Sequence, residues 1–178
     1  SMYGILKPVV QVEPVHLNGV TIQNITAYNA RFIKKHKIGP GAVVEIVRSG
    51  DVIPKIISVT KKARTPMYPD EDFKWNSTNV DIVLKQPDSH DGVKLKIIEH
   101  FFKTLGVPYF KRGTIKKTFE SGYDSIPKIL RMRIADFEEV EGISTKTAKK
   151  YRKAIREHYK KNNIAMIMSA STHFGSGF

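Results

Sequence analysis

The chain has 178 residues and sets 30 Lys and Arg against 17 Asp and Glu, for a formal charge of +13, with no cysteine at all. That length allows one or two domains, each with a buried core; the missing cysteine excludes disulfides, thiol catalysis and thiolate zinc sites, and no apolar run is long enough to be a membrane-spanning helix. A positive excess of this size points to a polyanionic partner, most simply nucleic acid, against the plainer reading of a basic protein with no such partner.

In chain order, Ser1 before Met2 reads as a remnant of tag cleavage, and the barrel segment is taken from Tyr3. Residues 3–63 read as β-rich. Val9–Val12, Val20–Ile25, Val43–Val47 and Val52–Val59 are short β-branched runs separated by Asn18-Gly19, Gly39-Pro40-Gly41 and Ser49-Gly50 turn signals. Pro54 marks an edge or a bulge. Four strands with a helical turn near Ala30–Lys37 suit a small β-barrel, an OB-fold before others, although strand count does not separate it from an SH3-like barrel. Residues 64–91 form a connector with Pro66, Pro69 and an acidic cluster, and its Val80–Leu84 run is a candidate strand to close the barrel edge.

From Gly92 to Phe178 the period becomes helical: Leu95, Ile98, Phe102 and Leu105 share one stripe, Ile134, Phe137 and Val140 a second, and Ala148, Tyr151, Ile155 and Tyr159 a third. The expected architecture is α+β and multi-domain, a barrel followed by an all-α domain. Charge follows this division. Residues 1–62 hold nine basic and three acidic groups, residues 63–98 five and six, and residues 99–136 and 137–178 eight and four each. The excess sits in two flanking blocks around a neutral link.

The sharpest local pattern is Glu139–Ala148. A short helix ends at Gly142, Ile143 and Ser144 turn the chain, and Thr145 caps a helix carrying Lys146 and Lys149. Free backbone N–H groups beside lysines suit a phosphate; the plain alternative is an αα-corner with no ligand. The pattern resembles a helix–hairpin–helix, with Ser144 where a second glycine is usual. Leu105–Ile115, containing Lys111, Arg112, Gly113 and Thr114, reads as a degenerate earlier copy in which packing competes with phosphate contact. Phe174–Phe178, with Gly175 and Gly177, reads as the start of a third. In the barrel, Arg48, Gly50, Asp51, Val52, Ile53, Pro54 and Lys55 make a hairpin tip.

That hairpin, with Val12–Val20, Thr26-Ala27-Tyr28-Asn29 and Ile38-Gly39, closely resembles the OB-fold domain of NAD-dependent DNA ligases. The family shows a leading Glu-Pro-Val, a Gly-Val turn, a strand ending in His-Asn and an Arg-x-Gly-Asp-Val-Ile-Pro hairpin. Tyr28 stands here in place of the His. The order of barrel, connector and helical hairpins also matches, so the resemblance spans nearly the whole chain. It implies that Asn29 and the Arg48–Lys55 hairpin lie at DNA, that the helical turns grip flanking minor groove, and that the parent seals nicks in replication and repair.

Two departures matter. The family places a four-cysteine zinc module between barrel and hairpins, and this chain has no cysteine; reduced ligases of viral or phage type are similar. The catalytic Lys-x-Asp-Gly motif is also missing. Ser89-His90-Asp91-Gly92 is the nearest string and reads as a helix-start turn. The resemblance therefore implies a fragment, inactive alone and truncated at its C-terminal end, with NAD and magnesium in an absent nucleotidyltransferase domain. Nicked double-stranded DNA is the expected partner, the fragment a monomer, and the location cytoplasmic, bacterial or at a viral replication site. No metal site is expected: His16, His36, His90, His100, His158 and His173 lack ligand spacing. The rival reading is a non-enzymatic OB-fold and helix–hairpin–helix nucleic-acid-binding module.

Overall fold

β-Branched segments punctuated by glycine and proline give the first half of the chain its strands, and regular apolar stripes give the second half its helices. The computed structural model describes residues 1–17, 19–49 and 53–173, for 48 and 49 the main chain only. It divides into two units, one built from Tyr3–Pro87 and one starting at Asp88.

In the first unit β1 is Ile5–Leu6, β2 Val9–Leu17, β3 Val20–Thr26, β4 Val43–Ser49 and β5 Ile53–Lys61. The four longer strands form one sheet in the order β2-β3-β5-β4. β2 with β3 and β4 with β5 are antiparallel hairpins, whereas β3 meets β5 in parallel at Thr26 and Lys55. Register shifts between Gln11 and Val15 and along Val43–Ile46 bend the outer strands, as bulges do. The sheet packs around Ile22, Ile25, Ile56 and Ile38, and around Ile33 of α1 (Ala30–His36). Asn29 caps α1 by accepting the Phe32 N–H at 2.9 Å, and Lys37 ends it in the left-handed region.

Two expectations need correcting here. β7 (Ile82–Leu84) does form, but it leaves the barrel edge alone. It lies between β1 and β6 (Phe73–Trp75) in a separate antiparallel sheet, so among the described residues the main sheet is a half-barrel. Between these two strands Ile82 and Leu84 are buried, and apolar burial of this kind favours that position. Pro54 is not on an edge strand either, since β5 is central. It sits opposite Arg48 at the hairpin end, one residue before β3 joins at Lys55, where its missing N–H costs no bond to β3.

The second unit is helical: α2 (Asp91–Thr104), α3 (Arg112–Glu120), α4 (Ile126–Arg131), α5 (Ile134–Glu138), α6 (Thr145–Lys161) and α7 (Ile164–Ser171). The α2 stripe delivers Ile98, Phe101, Phe102 and Leu105 to a core shared with Ile115, Ile129, Met132, Phe137, Val140 and Ile155. Phe110 stands at its centre, edge-on to Phe102 at 5.0 Å and to Tyr151 at 5.6 Å. The C-terminal end of α6 holds the first turn: His158 Nδ1 and Asn162 Nδ2 both reach the Leu105 carbonyl at 3.2 Å. No helix among the described residues is long and apolar enough to cross a membrane.

Candidate nucleic-acid interface

The turn into α6 is built from the inside out. Val140 is buried and Ile143 packs on the same core, which pins both sides of Gly142. Gly142 has a φ of +80°, where a side chain is strained. The cap is Ser144 and not Thr145: Ser144 is extended, its hydroxyl accepts the Thr147 N–H at 3.4 Å, and Thr145 is the first helical residue. A serine in the extended region does at this position what a second glycine cannot, since it supplies an acceptor. The N–H groups of Thr145 and Lys146 then have no intrahelical carbonyl to bind. The first turn of α6 contains no acid, and Lys146 and Lys149 are exposed. The macrodipole and both ammonium groups favour an anion here.

A residue that sequence reading passed over completes the turn. Lys117 of α3 donates to the Glu141 carbonyl at 3.3 Å. Its proximity to Gly142 is purely tertiary, so no local signal marks it. Arg152, by contrast, reads as part of the exposed basic face of α6. It is half-buried and donates to the Leu130 carbonyl at 3.2 Å, tying α6 to α4.

The first helical turn is assembled differently. Lys111 is the N-cap of α3 but makes no side-chain cap bond. Arg112 pairs with Glu99 at 3.3 Å, and Thr114 shares a hydrogen bond with Tyr151. Gly113 has open space around it. Phe110 is a core residue, and Tyr109 is exposed at a φ of +68° with the Lys150 ammonium 3.3 Å from its ring centre. Phe110 and Tyr109, which stand where a helix–hairpin–helix would have glycines, are therefore used for packing and for a cation–π contact.

In the first unit, Asn29 spends its side chain on the α1 cap. Ile53 and Lys55 are exposed on β5, Ile53 to 60%, with Val43, Val47 and Ile57 also exposed on the same hairpin. Pro54 is half-buried. Gly50, Asp51, Val52, Gly175 and Gly177 lie outside the described residues, as does the Arg48 side chain, and with them the suggested third hairpin at Phe174–Phe178.

Burial raises the Tyr68 phenol in the first unit, and the other shifted ionisations fall in the helical unit around α4 and α5. The Arg133 guanidinium and main-chain N–H both bind Asp136, at 3.1 and 2.7 Å, and hold its carboxyl below 3.8. Lys128 likewise lowers Asp124. Burial, reinforced by the Asp136 and Glu139 carboxylates, raises the Tyr123 phenol. The Arg133–Asp136 and Lys128–Asp124 contacts are ion pairs at the starts of α5 and α4. Among the described residues no group of three His, Asp or Glu side chains is arranged to hold a metal ion.

Residues 2–68 match the model of the NAD-dependent DNA ligase OB-fold domain. Over 178 residues the chain is 34% identical to a DNA ligase of Acanthamoeba polyphaga mimivirus, covering all of this chain and 28% of that protein. It is 31% identical over 172 residues to the putative DNA ligase 052L of Invertebrate iridescent virus 3, covering 96% of this chain and 22% of that one. A DNA ligase of Desulfatibacillum aliphaticivorans is 34% identical over 146 residues, covering 78% and 22%. The chain thus spans about a quarter of the length of these relatives.

Proposed function

We propose that this chain, a member of the NAD-dependent DNA ligases by the OB-fold domain it carries at residues 2–68, is the part of such an enzyme that grips nicked duplex DNA. The observation that carries this reading is the α6 turn: an acid-free helix start with exposed Lys146 and Lys149 and Lys117 laid against it. Joined to a ligase OB-fold, that turn suits the phosphates flanking a nick, in the manner of a helix–hairpin–helix. In the first unit the exposed Ile53–Lys55 hairpin arm offers apolar and cationic groups to the same duplex. Contacts of this kind position the protein without reading bases, so binding is largely independent of sequence.

The joining of a 5′-phosphate to a 3′-hydroxyl we assign to a nucleotidyltransferase domain outside these residues, together with NAD and magnesium. The residues present do not fit those groups. The sequence has no Lys-x-Asp-Gly to take the nucleotide, and the described carboxylates do not converge on a metal position.

The test is anisotropy with a nicked duplex over a salt series. Each phosphate contact adds about −0.9 to the log–log slope, so Lys146→Ala with Lys149→Ala should flatten it by about two such steps. A salt-independent affinity rejects the reading. Incubation with labelled NAD should leave this chain unlabelled, and a lysyl-adenylate on it would overturn the assignment of chemistry elsewhere.

A further inference from the structure

From Tyr28, two residues before α1, a column of rings runs along one face of that helix, and the duplex-gripping role leaves it unused. Tyr28, Phe32 and His36 recur every fourth residue, with ring centres 4.8 and 4.4 Å apart. They line a shallow, open groove with Asn29, Arg31, Lys35 and Ile57. No lining residue is acidic. The Arg31 guanidinium is fixed by the carbonyls of Thr78 and Asn79 and remains exposed. Lys35, one residue from His36, is exposed as well.

Tyr28 is the telling member. A tyrosine at a φ of +44° is held against its backbone preference, and half of it faces solvent. Its hydroxyl donates to the Ile56 carbonyl at 2.9 Å, which fixes the ring in the groove lining. A strained, tethered, half-exposed aromatic at the head of a ring column is a preformed stacking surface, and strain of this kind gathers at ligand sites. Aromatic faces flanked by cations, with no carboxylate to repel phosphate, are the chemistry that takes unpaired bases and their backbone.

We propose that this groove binds single-stranded nucleic acid, as a site separate from the duplex grip. Bases stack on Tyr28 and along Phe32 and His36, while Arg31 and Lys35 meet the phosphates. The proposal goes beyond the duplex reading and is tested independently of it.

The probe is a labelled dT6 oligonucleotide, with a second dT6 carrying 5-iodouracil for photo-crosslinking to the full chain. Crosslinks are expected on Tyr28, Phe32 or His36. Tyr28→Asn removes the ring and keeps a residue tolerant of positive φ; it should weaken dT6 at least about fivefold, the low end of a base–aromatic stack. Lys35→Ala should reduce the salt slope for dT6 by about 0.7, one single-strand phosphate. Tyr28→Asn should leave a nicked duplex bound as before, whereas the Lys146 and Lys149 substitutions should weaken the duplex and spare the dT6 crosslink. Failure of dT6 to bind, crosslinks confined to residues beyond Asp88, unchanged dT6 binding in both groove variants, or an equal loss of duplex affinity in Tyr28→Asn would each overturn the proposal. The wild-type crosslink decides the matter even if Tyr28→Asn fails to fold.

Discussion

The Lys117 ammonium lies 3.3 Å from the carbonyl of Glu141, twenty-four residues along the chain and one residue before the turn glycine of α6. A Cβ built on Gly142 would stand 3.2 Å from that same nitrogen. Lysine and glycine are thus fitted to each other, and α3 is fastened to the start of α6 through the carbonyl that precedes the turn. The site proposed for phosphate is therefore built from two helical segments, and its cations come from both.

Lys117→Ala should separate binding from stability. The lysine is exposed and its bond to Glu141 is a surface one, so unfolding should change by no more than about 1 kcal/mol. The nicked-duplex salt slope should lose about 0.9 if Lys117 also meets a phosphate. Gly142→Ala should do the reverse in emphasis: the backbone at φ +80° disfavours a side chain, and the cost to stability should reach about 1 kcal/mol or more. Thermal melts beside anisotropy titrations distinguish the two.

Tyr109 and Lys150 make the reciprocal link, from α6 back to the turn before α3. With the ammonium 3.3 Å from the ring centre, a double-mutant cycle of Tyr109→Leu and Lys150→Met should return a coupling of about 0.5–1 kcal/mol, as for an exposed cation–π pair. Tyr109→Gly should lose the coupling yet recover part of the stability by relieving the φ of +68°. Chemical denaturation of the variants measures both.

Asp136 gives the helical unit an acid limit. Its carboxyl is held below 3.8 by the hydrogen bonds from Arg133, and Asp124 is lowered by Lys128. A depressed folded-state value means stability that is complete above the unfolded value near 3.8 and is lost as pH falls through the lower, folded one. Unfolding followed from pH 6 downward should show the decline beginning near pH 4. Asp136→Asn should be less stable at pH 6 and lose less on acidification. Identical pH profiles for the two proteins would remove Asp136 from the account.

Local signals made much of this legible. The stripe Leu95–Leu105 places α2, and Ala148–Tyr159 places α6, because each buries one regular face. The hairpin wording around Ile53-Pro54-Lys55 marks the family's domain, which residues 2–68 bear out. Sequence fails where partners are distant. α4 is only six residues long, too short to show a period, and its Pro127 sits at the helix start, where the missing N–H has no helical partner. α7 hides in a stretch with little polar contrast, its start marked only by the Asn163 cap. The role of Lys117, the burial of Arg152 and the destination of β7 each depend on a segment far along the chain, and no periodicity reports them.

The connector should be a folded element that needs no metal. β7 is zipped between β1 and β6, and Tyr68, Phe73 and Trp75 cluster with ring centres 5.5 and 6.2 Å from Tyr68. Asn76 closes the intervening turn by accepting the N–H groups of Val80 and Asp81 at 3.1 and 3.3 Å. Trp75 is the one tryptophan in the sequence, so its fluorescence reports this sheet directly. Asn76→Ala deprives two main-chain donors of their acceptor and should cost about 1 kcal/mol or more, lowering the Trp75 transition by about 4–8 °C for a unit of this size. EDTA should leave that transition where it is, in both the wild-type protein and the variant. A chelator-induced fall would mean that a metal, and not the Asn76 turn and the β1-β7-β6 pairing, holds the connector together.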